Sequence, residues 1–159
     1  MIAIQVLYEK MRRSQLGSLL PPPPDFDVTE LLDKAEHVDI EELGTLEDIA
    51  NQVYNTLTDH GILEADKIQD MTQRLINYRL VDEVHQLKKG RHVRWLRRGS
   101  QTLTSGAIVM DIAFMSEGVT VLLKNKQNRF MRYKWDDCTT FQQLSEEEQF
   151  LLSCLSYIK

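Results

Sequence analysis

Leu87–Leu144 reads LKKGRHVRWLRRGSQTLTSGAIVMDIAFMSEGVTVLLKNKQNRFMRYKWDDCTTFQQL, and it decides the fold. Short runs of alternating apolar and polar residues, separated by turn residues, give it the period of two expected of half-buried strands. Lys89-Gly90 opens a first strand with Val93 and Trp95 on one face and His92, Arg94 and Arg98 on the other. After a turn at Gly99-Ser100, Leu103–Met115 is long for one strand. Gly106 in its first half suggests the bulge that bends a strand around a small barrel. Ile108, Met110, Ile112 and Phe114 alternate on one side of it, and Glu117-Gly118 turns the chain into Val119, Val121 and Leu123. A turn at 125–128 leads to a strand with Met131, Tyr133 and Trp135 on one face and Phe130, Arg132 and Lys134 on the other. Asp136-Asp137 breaks that strand, and Thr139–Leu144 supplies a short last one. Trp95, Ile108, Ile112, Val121, Leu123 and Trp135 are the expected core of this module.

The flanks have the helical period instead. Ile4, Leu7, Tyr8 and Met11 fall on one face of an amphipathic arm within residues 1–20, expected to dock on another protein surface. Pro21–Pro24 then forms a polyproline II spacer of about 12 Å within residues 21–27. As a recognition motif for a proline-binding domain, PPPPDF lacks a flanking arginine. Residues 28–86 read as an acidic helical region. A short first helix carries Val28, Leu31, Leu32 and Ala35, and Thr45 with Asp48 caps a clean stripe of Leu46, Ile49, Ala50, Val53 and Leu57 that stops at Gly61. Ile68, Met71, Leu75 and Tyr78 continue as a second stripe, and Leu80, Val84 and Leu87 follow after a shift of phase, so this helix bends or breaks near Tyr78. Residues 145–159 form a terminal helix packed on the barrel, started by a Ser145/Glu148 capping box, with Phe150, Leu151, Cys154, Leu155 and Ile158 as its apolar face.

Charge is segregated along the chain. The protein has 159 residues and a net charge of -5. Asp25–Asp70 carries fourteen acids against two lysines, a net of -12, whereas Lys88–Lys134 carries eleven bases against two acids, a net of +9. No apolar run approaches the ~18–20 residues of a membrane span. The first twenty residues lack the order of a secretion signal, because Lys10, Arg12 and Arg13 follow the apolar residues. Cys138 and Cys154 have no metal-ligand spacing, so a reducing compartment and free thiols are expected.

A search for chemistry returns no phosphate-cradling glycine loop, nucleophile elbow or zinc-protease motif. His37, His60, His85 and His92 have unrelated spacings, and Asp136 and Asp137, being adjacent, would point to opposite faces of a strand. No catalytic residue, metal or cofactor is therefore expected. Arg94, Arg98, Phe130, Arg132 and Lys134 lie opposite the expected core faces. That mixture of cations and an aromatic suits a single-stranded nucleic acid or an acidic partner, and equally a solvated face attracting the chain's own acidic helices.

The order L-x-x-G-x-x-V-R-W, L-T-S-G-A-I, V-L-L-K-N, F-x-x-K-W and F-x-x-L resembles small β-barrels of the Src-homology-3-like type that recur in proteins of nucleocytoplasmic large DNA viruses. The resemblance covers Leu87–Leu144 and departs at Ala107, where a second glycine is common. It implies a five-stranded SH3-like barrel over 87–144, and with the helical N-terminal half and the C-terminal helix read from their own periodicity the expected fold is α+β. The resemblance further implies a virion-associated, non-enzymatic assembly component such as a minor capsid protein, with other subunits as partners, located in the virion or host cytoplasm. Nucleic-acid binding through the basic face is the alternative.

Overall fold

The computed structural model describes residues 43–158, in two compact units divided within a helix between Ile49 and Ala50. One unit is Ala50–Gln143; the other includes the described residues up to Ile49 and from Leu144 on. The expected arm with Ile4, Leu7, Tyr8 and Met11, the proline spacer and the first acidic helix lie outside the described residues.

The chain is α+β, with three α-helices among the described residues: α1 (Leu46–Asp59), α2 (Ala65–Arg74) and α3 (Glu146–Ile158). Both expected capping boxes form. The Asp48 amide donates to Thr45 Oγ1 and the Thr45 amide to Asp48 Oδ2, each at 3.1 Å, satisfying two donors that the start of α1 would leave open. At α3 the Glu148 amide donates to Ser145 Oγ at 3.1 Å and the Ser145 amide to Glu148 Oε1 at 2.9 Å. Within this smaller unit Leu43, Ile49, Leu144 and Leu152 form one apolar cluster. Leu152 is not among the residues expected on the α3 face, and Phe150, which is, proves only half-buried.

The larger unit holds six antiparallel strands: β1 (Tyr78–Val81), β2 (His92–Arg97), β3 (Ala107–Met115), β4 (Gly118–Lys124), β5 (Phe130–Lys134) and β6 (Cys138–Gln143). Their order in the sheet is β1-β6-β2-β3-β4-β5. The sequence pattern predicts only five. The sixth, β1, comes from the stretch expected to continue as helix. Three-residue bonds tighten the end of α2, from the Ile76 amide to Gln73 O and from the Tyr78 amide to Leu75 O, and Asn77 turns the chain with φ +69°. Tyr78–Val81 then pairs with Thr140–Gln143. The phase shift at Tyr78 is thus where helix gives way to strand. Past β1, the carboxamide of buried Gln142 accepts from the Lys88 amide at 2.8 Å and donates to Gln86 O at 3.1 Å, tying the Val84–Gln86 turn to β6.

The sheet is open as ordered, with β1 and β5 at its edges, but it curls. Tyr133 on β5 and Thr140 on β6 lie four places apart, about 19 Å on a flat sheet. Yet their hydroxyls are hydrogen-bonded at 2.8 Å in the interior, and Tyr133 stacks on Trp95 of β2 with ring centroids 4.8 Å apart. The curl encloses Val81, Leu87, Val93, Trp95, Ala107, Val109, Val121, Leu123 and Tyr133 on one face. On the other face Leu96 and Phe141 meet Val53 and Leu57 of α1 and Met71 of α2, with Ile62, Leu75, Tyr78 and Leu103. Strands β6 and β2 are therefore buried on both sides.

The expected core is corrected in β3. Ile108 is 44% exposed and Met110 42%, while Ala107 and Val109 are buried. The ladder shifts register between Val109 and Asp111, so a bulge reverses the inside–outside phase and brings Ile112, opposite Val121, to the enclosed face, where it is half-buried. A single alternation drawn through all nine residues of β3 has to misplace one half of them. Trp95, Val121 and Leu123 are buried as expected, and Trp135 is half-buried in a turn that follows β5. Gly106, expected at a bulge inside the strand, instead immediately precedes it.

One packed residue makes stability depend on pH. His92 Nδ1 and the Tyr78 hydroxyl share a hydrogen bond of 2.7 Å. Burial, then the charges of Arg94 and Lys126, hold the imidazole below its ordinary value of 6.5. The unfolded chain therefore takes up a proton that the folded chain resists, and the contribution of this site is full above 6.5 and is lost progressively as pH falls from there through the lowered folded-state value. Urea midpoints at pH 7.5 and pH 5.5 should differ more for the parent than for His92→Gln. An equal drop in both would show that His92 does not carry the effect.

Candidate binding face

The candidate surface is built from the β4–β5 hairpin upward. Asn125 Oδ1 accepts from the Gln127 and Arg129 amides, both at 3.0 Å, and Asn128 reverses the chain with φ +62°. That turn sets Lys124 opposite Phe130, Leu122 opposite Arg132 and Thr120 opposite Lys134. Directly paired residues share a face, so one row runs His92, Ile108, Lys124, Phe130 across four strands. This is the face that α1 and α2 cover over β1, β6 and β2. Over β3–β5 no element among the described residues covers it: Phe130, Arg132 and Lys134 are exposed, and Lys124 Nζ sits 5.9 Å from the centre of the Phe130 ring. Lys89 contributes to the same side by pairing with Asp111 at 3.0 Å.

Of the five residues named from sequence, the structure brings three together on β5 and separates the other two. Arg94 lies on the same sheet face but in the covered half. Its guanidinium stands 5.8 Å from the centre of the Tyr78 ring and donates to Thr104 O at 3.4 Å, and its Nε is buried with no partner among the described residues. It belongs to the packing beneath the helices. Arg98 leaves the end of β2, where its backbone amide donates to Asp137 O at 2.8 Å and its guanidinium to Asp136 O at 2.7 Å.

Arg98 nevertheless meets Arg132 and Lys134 in an open cleft of about 680 Å³, which Arg97, missed from sequence, also lines. Glu117 and Asp137 also line it, and Met115 and Thr120 complete the β3–β4 side. The signal for Arg97 is its place as the last residue of β2, where a side chain on the core side is no longer covered by a following stretch of strand.

The reactive side chains among the described residues are quiet ones. Burial pushes the Cys138 thiol up, against the opposing pull of Arg97, and pushes buried Cys154 up to about 11. Neither is held as the thiolate that nucleophilic chemistry needs, and both cysteines are free. His60 Nε2 lies between Arg97 O and Ser100 O at 3.1 and 3.0 Å, which occupies it in joining the α1–α2 loop to the end of β2. Among the described residues no three His, Cys, Asp or Glu side chains gather as metal ligands, and no helix is long and apolar enough to cross a membrane. The arrangement can hold an anion and an extended apolar contact side by side. No family model matches the chain, and no curated protein or solved structure matches it.

Proposed function

We propose that the chain is a non-enzymatic assembly protein of a large DNA virus, a minor capsid or other virion component acting through protein–protein contacts. The viral setting rests on the resemblance of Leu87–Leu144 to SH3-like barrels of such viruses, and the curled sheet is compatible with a barrel of that type. The mode of action rests on one observation. Among the described residues the sheet face that helices cover over β1, β6 and β2 is uncovered over β3–β5, where Ile108, Met115 and Phe130 are 44%, 59% and 64% exposed beside Lys124, Arg132 and Lys134. Apolar side chains gathered on one face next to cations are what a partner surface requires. The acidic stretch and the amphipathic arm expected from sequence at Ile4, Leu7, Tyr8 and Met11 would add further contact chemistry.

Gradient-purified particles from cells producing a tagged chain test this reading. The tagged protein should travel with the particles, and removing Met1–Leu20 should abolish that while leaving thermal unfolding in place. A chain found only in the particle-free cell extract would sink it. A second reading, nucleic-acid binding, is favoured by Phe130 sharing its face with Lys124, Arg132 and Lys134, a stacking ring among phosphate-binding cations. It requires affinity that falls steeply with added salt.

A further inference from the structure

The backbone of β5 adds to what its side chains offer. Among the described residues Phe130–Lys134 pairs with β4 only, and no other backbone group bonds to it. One side of a strand about 17 Å long is an open row of amides and carbonyls. We propose that this edge is a strand-addition site for an extended partner peptide in which acidic and apolar residues alternate, a proposal that rests on the assembly reading and names its partner's chemistry.

The side chains dictate that pattern. A seventh strand beside β5 would set every second residue next to Phe130, Arg132 and Lys134, and the intervening ones next to half-buried Met131 and buried Tyr133. Opposite charges at neighbouring cross-strand positions attract and like charges repel, so the first set should be acidic and the second apolar. Arg97 and Arg98 across the cleft supply cations for a carboxylate at the end of the peptide next to Lys134. The same charges work against a second copy of β5, whose Arg132 and Lys134 would meet their counterparts; edge cations are a common guard against self-pairing. A nucleic acid would satisfy the cations but could not continue a ladder of amides and carbonyls. The open backbone therefore favours peptide.

The full-length chain can be titrated with a fluorescent peptide alternating Glu and Val, a block isomer of the same composition, and an oligodeoxythymidylate. The alternating peptide should bind best and should protect alternate amides of Phe130–Lys134 from hydrogen exchange. Arg132→Glu with Lys134→Glu, both exposed positions, should weaken it by at least about tenfold without shifting thermal unfolding. Equal binding of the block isomer, binding that leaves the β5 amides unprotected, tighter binding of the oligonucleotide, or no binding at about 1 mM peptide would each overturn the proposal. Failure here with the chain still present in particles would reject the strand-addition site alone. Peptide binding by a chain absent from particles would reject the virion reading instead.

Discussion

Gly106→Ala is expected to bring the larger unit close to unfolding. Gly106 has φ +92°, and a Cβ placed on it would lie 2.4 Å from Val93 O and 2.5 Å from His92 Cε1. Val93 is fully buried near the start of β2 and is paired on both sides, so its carbonyl cannot swing away without moving the strand. A non-glycine residue held at such a φ costs ~1–3 kcal/mol. Forcing apart a packed contact costs about another 1–3 kcal/mol. Together these are about 2–6 kcal/mol, against ~5–15 kcal/mol for a whole domain. Gly90→Ala provides the control, because Gly90 has φ +86° but nothing within 4 Å of the methyl carbon that alanine would add. The difference between the two urea midpoints isolates the steric part. Equal midpoints would mean that β2 and Gly106 do not approach as closely as the structure has them.

Gly106 also illustrates what a sequence can and cannot convey. A glycine amid a β-rich run announces special backbone, and TSG accordingly reads as a bend. Whether the glycine is needed for the bulge itself or for a neighbouring strand's approach depends on β2, which adjoins it only after folding. The bulge falls instead at Val109–Asp111, where IVMD carries no glycine or proline to mark it. That is why simple alternation puts Ile108 inside. Turns are more legible because their chemistry is local: Asn125 and Asn128, Glu117-Gly118, and the Thr45/Asp48 and Ser145/Glu148 boxes act through residues within a few positions of each other.

Strand β1 is hidden for the opposite reason. Tyr78, Leu80, Val84 and Leu87 carry a spacing that a helix can also satisfy, and only pairing with β6, some sixty residues later in the chain, decides for strand. The candidate face shows the same limit. Phe130, Arg132 and Lys134 are legible together because one strand carries all three in alternation. Arg94 looks equivalent on its own strand, yet α1 and α2 cover that half of the sheet, and no local pattern reports where a distant helix pair will lie. Arg97 escapes notice because alternation places it with Trp95 on the core side, whereas at the end of β2 it is exposed to the cleft.

The second large effect is expected from Trp95→Ala. Trp95 is buried on the enclosed face of β2, stacked on Tyr133, whose hydroxyl reaches Thr140 of β6. The indole thus fills the space across which the curled sheet meets itself, and backbone pairing cannot replace it because β5 and β2 are not neighbours. Truncating a buried tryptophan costs ~3–5 kcal/mol in lost burial and residual cavity. The backbone hydrogen bond from the Trp95 amide to Thr104 Oγ1, at 3.0 Å, survives the substitution, so the loss reports on the side chain. A second measurement ties it to the curl. Burial now holds the Tyr133 phenol well above its ordinary value of 10, and a cavity beside it would let water in and bring its ionisation back down. Ultraviolet titration of the folded variant should therefore show one tyrosine ionising at lower pH than in the parent, together with the reduced urea midpoint. A stability change below about 1 kcal/mol, with Tyr133 still silent, would mean that Trp95 is not packed across the curl.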